Sequence, residues 1–218
     1  MLEVRGLRAG YGRAQALFGL DLDVGAGEVV ALVGRNGAGK STALKAIMGL
    51  LPRISGEVLF LNENLENKES FEIARLGLAY VPEERRIFAG LTVAENLEAG
   101  RQAPRAGVPE WTGARLEALF PALAAMRARR AGTLSGGEQQ MLCIARSLAG
   151  NPRAILLDEP SEGLAPVVVE QVARAILDLK RAGVAVLLAE QSRAFSRRVA
   201  ERSYTLEEGR IVDGPHPQ

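Results

Sequence analysis

Apolar and polar side chains alternate over Leu2–Leu7 and again over Phe18–Val24, the period of two expected of strands with one buried face. Glycine and Tyr-Gly punctuation separates the two runs, which predicts a small antiparallel β layer near the N-terminus. The pattern then changes. Glu28–Val33 is almost continuously apolar, like a parallel strand covered on both faces, and it runs into a glycine loop followed by a helix from Lys40 to about Leu50, stopped before Pro52. Two further buried-strand candidates, Ala154–Leu157 and Val184–Ala189, flank a helix over Val167–Arg181 that ends in Lys180-Arg181 ahead of Gly183. Strand, helix, strand in this order predicts a doubly wound, mainly parallel sheet.

Between them, from about Glu84 to Gly150, β-branched runs are scarce and Ala, Leu, Arg and Glu abound, which predicts a helical lobe inserted into the sheet domain. Thr92-Val93-Ala94-Glu95 fits a capping box and places a helix start there. Leu116, Leu119, Phe120 and Leu123 keep helical spacing, with Pro121 dividing the segment in two. Arg101–Pro109 reads as a loop and Gly214–Gln218 as a frayed tail. The expected organisation is a single domain over 1–218, with 1–83 and 151–218 as its core and 84–150 as the lobe.

Composition alters this picture little. At 218 residues, 47% apolar, 24% charged and with a formal net charge of +1, the chain has the balance of a soluble globular protein and no basic excess for nucleic acid. The single cysteine, Cys143, excludes an internal disulfide, suits a reducing compartment and reads as small apolar filler on a helix. The N-terminus lacks a signal pattern, and no apolar run approaches the roughly 20 residues of a membrane span. A cytoplasmic location is expected, with any membrane role passing through partner proteins.

Chemistry enters with Gly34-Arg35-Asn36-Gly37-Ala38-Gly39-Lys40-Ser41-Thr42, a phosphate-loop pattern set between a buried strand and a helix. Its glycines let backbone N–H groups face phosphate oxygens, Lys40 reaches the β- and γ-phosphates, and Ser41 can ligate Mg²⁺. The apolar strand ending Leu156-Leu157-Asp158-Glu159 delivers two carboxylates where ligands bind in open α/β sheets. Asp158 is the candidate metal ligand, and Glu159 the group that orients the water attacking the γ-phosphate. Ser135-Gly136-Gly137-Glu138 is a capping box whose two glycines present bare N–H groups to an anion.

Leu134-Ser135-Gly136-Gly137-Glu138-Gln139-Gln140, lying after the phosphate loop and before the Asp158 strand, resembles the signature of ATP-binding cassette (ABC) ATPases. The resemblance covers nearly the whole chain and implies a P-loop NTPase fold of ABC type that hydrolyses ATP with Mg²⁺. It implies that Tyr11 stacks on adenine. It also implies that Ser135, Gly136 and Gly137 act in trans on ATP held by a second ATP-binding subunit.

Three positions depart from the common family pattern: Glu83 stands where Gln is usual, Gln191 where a switch histidine is usual, and Ala165 where Asp is commoner. Gln191 can donate a hydrogen bond to a phosphate oxygen but cannot take up a proton or carry positive charge. These departures, with Val81-Pro82-Glu83, Arg85-Arg86-Ile87-Phe88, Ser161-Glu162-Gly163-Leu164-Ala165-Pro166 and Ala189-Glu190-Gln191, resemble the ATP-binding subunits of branched-chain amino acid importers. Relatives serving urea or short amides look much the same. The resemblance implies a chain that sits on the inner face of the cell membrane through permease subunits, served indirectly by a substrate-binding protein. The alternatives are a soluble ABC ATPase in assembly or scaffolding, as in iron–sulfur cluster biogenesis, and a P-loop kinase, which leaves Ser135–Gln140 unexplained.

Overall fold

The structure, a computed structural model, describes residues 1–217, and of positions 53, 54, 216 and 217 the backbone alone. In chain order the first elements are β1 (Leu2–Tyr11), β2 (Ala14–Val24), β3 (Val29–Val33), α1 (Lys40–Ile47), β4 (Arg53–Phe60), β5 (Glu63–Asn64), α2 (Ser70–Leu76) and β6 (Leu78–Val81). Four helices follow, α3 (Val93–Ala99), α4 (Gly113–Leu119), α5 (Pro121–Ala124) and α6 (Gly136–Ala149). The chain then returns through β7 (Ala154–Asp158), α7 (Pro166–Arg181), β8 (Ala185–Glu190), α8 (Arg193–Val199), β9 (Arg202–Glu207) and β10 (Arg210–Pro217).

These strands form two sheets, an antiparallel one ordered β2-β1-β4-β5 and a larger one ordered β10-β9-β3-β8-β7-β6. In the larger sheet all pairings are parallel except β10 with β9. The unbroken apolar run of β3 now has its reason, because successive side chains point to opposite faces. Val29, Ala31 and Val33 pack among residues of α6, α7 and α8, whereas Val30 and Leu32 join α1 and the β1–β2 layer. Both faces are dry, so no polar alternation survives.

The predicted helix start at Thr92 carries the expected cap. Thr92 Oγ1 accepts from Glu95 N–H while Glu95 accepts from Thr92 N–H, and Pro121 separates α4 from α5 as its ring requires. β4 had no clear pattern. Gly56 stands at φ +99°, a Cβ there would lie 2.5 Å from the Gly6 carbonyl, and the β1–β4 register slips between Arg5 and Arg8. The two backbones touch at a bulge, which breaks the alternation that would have announced the strand.

The tail expectation is corrected as far as residue 217. β10 pairs antiparallel with β9, placing Arg210 opposite Glu207 and His216 opposite Ser203, so backbone hydrogen bonds order a segment whose glycine and prolines signalled a loop. Edge strands tolerate proline, since one side of the ladder is free. Gln218 lies outside the described residues.

Arg202 of β9 ties the two sheets together. Its Nε donates to Glu28 Oε1 (2.5 Å) and its Nη2 to Asp23 Oδ2 (2.7 Å), while Tyr204 OH donates to Asp23 Oδ1 (2.8 Å). The guanidinium holds the Glu28 and Asp23 carboxyls below their ordinary values of 4.5 and 3.8. Asp23 is half-exposed, so Glu28 carries more of the effect. Arg202→Ala should therefore cost about 2 kcal/mol at pH 7, a fall of about 4–8 °C in Tm. Depressed carboxyls stabilise the fold above their unfolded values and lose that contribution as pH drops through the folded ones. The Tm gap between parent and variant should accordingly be full near neutrality and close below about pH 4, as read by thermal melts across pH; a pH-independent gap would show that lost packing, not charge, is responsible.

Candidate active site

The phosphate loop leaves β3 and turns into α1 within six residues. Gly34 is required by close approach, since a Cβ would fall 2.5 Å from the Leu206 carbonyl, and Gly39 by conformation, at φ +109° as the N-cap of α1. Lys40 is 4% exposed, and its Nζ donates to the carbonyls of Gly34 (2.8 Å) and Arg35 (3.0 Å). The same Nζ pairs with Glu159 Oε1 at 2.9 Å. The loop thus folds around its own lysine.

β7 supplies the carboxylates. Asp158, its last residue, accepts from Ser41 Oγ on Oδ1 (2.8 Å) and from Tyr80 OH on Oδ2 (3.0 Å). Burial raises the Asp158 carboxyl above its ordinary value, and the two hydroxyl donors oppose that shift. Tyr80 is pushed up in turn, first by its own burial and then by the Asp158 charge. Glu159 stands at φ +47°, 6% exposed, with its N–H donating to the Ala189 carbonyl (2.9 Å). A left-handed non-glycine residue costs about 1–2 kcal/mol, and such strain collects at functional sites.

β8 lies beside β7 in a register that sets Asp158 opposite Ala189, so Glu159 and Glu190 emerge as neighbours. The Gln191 backbone N–H donates to Glu159 Oε2 (3.1 Å), while the Gln191 side chain is exposed. Ala165 is the N-cap of α7, with no side-chain cap, and Pro166 follows at the first helical position.

A cleft of about 400 Å³ gathers these segments. Tyr11, Asn36, Gly37, Gly39, Lys40, Ser41, Thr42, Glu83 and Glu159 line it, and Tyr11 is 52% exposed. Gly34, Arg35 and Ala38 shape the loop from behind: Arg35 O accepts from Ala38 N–H (3.1 Å). Asp158 and Gln191 are not among the lining residues, although Asp158 is held by Ser41 and the Gln191 N–H by Glu159, both of which line the cleft. Ser135, Gly136 and Gly137 are also outside the lining and lie at the start of α6. Tyr80, Glu190 and Ser161 were given no role by the sequence, although a carboxylate ending an apolar strand, the sign that marked Asp158, also marks Glu190.

Packing gives the α6 glycines a second purpose. A Cβ on Gly136 would fall 2.7 Å from Arg85 Nη1, and one on Gly137 would fall 2.7 Å from Val168 Cγ2 on α7. Arg85 is a flexible neighbour and Val168 a β-branched one. Gly137→Ala should cost about 1–3 kcal/mol by overpacking, and Val168→Ala in the same chain should recover most of it; melts of the single and double variants decide, and no recovery would remove Val168 as the cause. Cys143, buried on α6, fills space as expected, with Sγ donating to Arg85 O (2.5 Å) and a thiol pushed up to about 11 by burial.

Comparison with known proteins points the same way. The ABC transporter family model matches residues 17–162. The chain is 45% identical over 202 residues to the high-affinity branched-chain amino acid transport ATP-binding protein BraG of Pseudomonas aeruginosa, covering 93% of this chain and 87% of that one. It is 34% identical over 221 residues to the lipopolysaccharide export system ATP-binding protein LptB of Acidithiobacillus ferridurans, covering 100% and 91%. A solved ATP-binding cassette, dimeric in a post-hydrolysis state bound to ADP and Pi, superposes with a TM-score of 0.83 at 26% identity over 98% of this chain and 97% of its own. The strand–loop–helix cleft, the two carboxylates at the end of β7 and these similarities lead to one conclusion: the chain belongs to the ABC transporter family, as an ATP-binding subunit that hydrolyses ATP.

Proposed function

We propose that this subunit energises a bacterial importer of branched-chain or other apolar amino acids. In this reading it sits on the cytoplasmic face of the membrane against permease subunits that take substrate from a substrate-binding protein. The observation that carries the reading is the 45% identity to a branched-chain amino acid transport subunit over 93% of the chain. Among the described residues no helix is long and apolar enough to cross a membrane, so attachment through partners fits.

ATP enters the cleft with adenine on Tyr11 and its phosphates over the Gly34–Thr42 loop. Lys40 exchanges its Glu159 partner for phosphate oxygens, which releases Glu159 to orient the attacking water. Ser41 Oγ and Asp158 Oδ1, two hard oxygen donors 2.8 Å apart beside the loop, form a donor pair of the kind Mg²⁺ takes together with phosphates. When bound, the ion supplies neutralisation of phosphate charge. Glu83 stands on the cleft wall, and Gln191, outside the lining, acts from behind Glu159 through its backbone N–H. Ser135, Gly136 and Gly137 serve the nucleotide of a second ATP-binding subunit, a homodimer or a companion ATPase; they start α6, outside the lining of their own cleft.

The tagged chain, expressed with its neighbouring genes, should bring down two hydrophobic membrane subunits, and proteoliposomes holding that complex should hydrolyse ATP faster when leucine-loaded binding protein is added. The 34% identity to a lipopolysaccharide export subunit supports a second reading. Stimulation by lipopolysaccharide and not by any amino acid would replace the first reading with it, and recovery of soluble scaffold partners alone would overturn both.

A further inference from the structure

Glu190 is a carboxylate at the end of a strand whose other residues are all buried and apolar, and it is itself 2% exposed. Its Oε1 accepts from the N–H groups of Gln191 (3.0 Å) and Ser192 (3.1 Å), its Oε2 accepts from Ser161 Oγ (2.7 Å), and its carbonyl faces Gly34 N–H (3.4 Å). One residue therefore touches the phosphate loop, the loop leaving β7 and the turn leaving β8. Burial raises its carboxyl above the ordinary value, against the pull of these donors, so the group is held there at a cost. Capping α8 does not explain it, since Ser192 Oγ already accepts from Phe195 N–H (3.2 Å).

The decisive contact is shared. The Gln191 N–H that Glu190 accepts is the same N–H that Glu159 Oε2 accepts, at 3.0 and 3.1 Å. We infer that Glu190 is a positioning residue for hydrolysis: it fixes the Gln191 N–H that aims Glu159, and through Ser161 it ties that aim to the loop following β7. This rests on the role proposed for Glu159. Glu190 lies outside the cleft lining, so it acts on turnover through Glu159 and leaves nucleotide affinity alone.

The test measures phosphate release and ADP affinity on the full chain. Glu190→Ala should lower kcat about tenfold, the size of one misplaced catalytic group, with KM for ATP and ADP affinity within about twofold. Glu190→Gln keeps a carbonyl for the two N–H groups and an amide for Ser161, and should return kcat to within about threefold of the parent. Unchanged kcat in Glu190→Ala, a parallel loss of ADP affinity, or a Gln variant no better than Ala each overturns the inference. Should the Ala variant fail to fold, Ser161→Ala takes its place: a fall of about threefold in kcat at constant KM supports positioning, and an unchanged kcat refutes it. Glu159→Gln is run alongside, since full turnover there removes the role of Glu159, whereas a dead Glu159→Gln beside an unaffected Glu190→Ala removes only the role of Glu190.

Discussion

Glu159→Gln is expected to cut phosphate release about a thousandfold, within the range of about 10²–10⁴ contributed by a positioned acid–base group. ATP should still bind and still draw two ATPase subunits together, because the amide keeps the size of the side chain and Lys40 becomes free for phosphate. The same exchange should weaken the nucleotide-free protein. Lys40 and Glu159 are a buried pair at 2.9 Å, and removing one partner of such a pair costs about 3–5 kcal/mol. The lower end applies here, since Lys40 keeps two carbonyl acceptors. ATP at about one hundred times Kd contributes about 2.7 kcal/mol by mass action, nearly offsetting that loss. Melts with and without ATP, size-exclusion profiles and phosphate release check the three parts. Normal phosphate release would take Glu159 out of the chemistry.

Lys40→Ala carries the second large effect. An ammonium making charge-assisted hydrogen bonds to phosphate is worth about 1.5–3 kcal/mol, so ATP affinity should fall by about ten- to a hundredfold. Without nucleotide the variant strands Glu159 as a buried carboxylate lacking its counter-charge, at about 3–5 kcal/mol. That predicts an order of stability that intuition would reverse. The double variant Lys40→Ala/Glu159→Gln should melt above Lys40→Ala alone, because its second change removes the orphaned charge. Calorimetry on the four chains of the cycle measures the coupling. A double variant less stable than Lys40→Ala would mean that the pair contributes nothing to the nucleotide-free state.

Much of the architecture was legible because it follows from local periodicity. β3, β7 and β8 are short, apolar and bounded, and α7 announces its end with Lys180-Arg181 before Gly183. β4 and β10 were missed for the opposite reason, since Gly56 serves a bulge and β10 is ordered by β9 rather than by its own side chains. The cleft was legible in its loop and in the carboxylate pair ending β7, of which Glu159 lines it and Asp158 lies behind on Ser41. The hydroxyl of Tyr80 on Asp158 and the carboxylate of Glu190 beside Glu159 were not, because each depends on which strands lie side by side.

The sequence by itself determined the sheet type, through the order of apolar strands and helices, and also the phosphate-loop pattern, the carboxylates ending β7 and the capped start of α6, each carried within a short stretch where bond geometry and side-chain alternation leave little choice. Tertiary structure alone decided that Lys40 meets Glu159 across 119 positions, that one Gln191 N–H serves two carboxylates, and that Gly137 gives way to Val168. Such contacts depend on parallel register and helix packing, whose energies are summed over the whole core, and no local pattern records them.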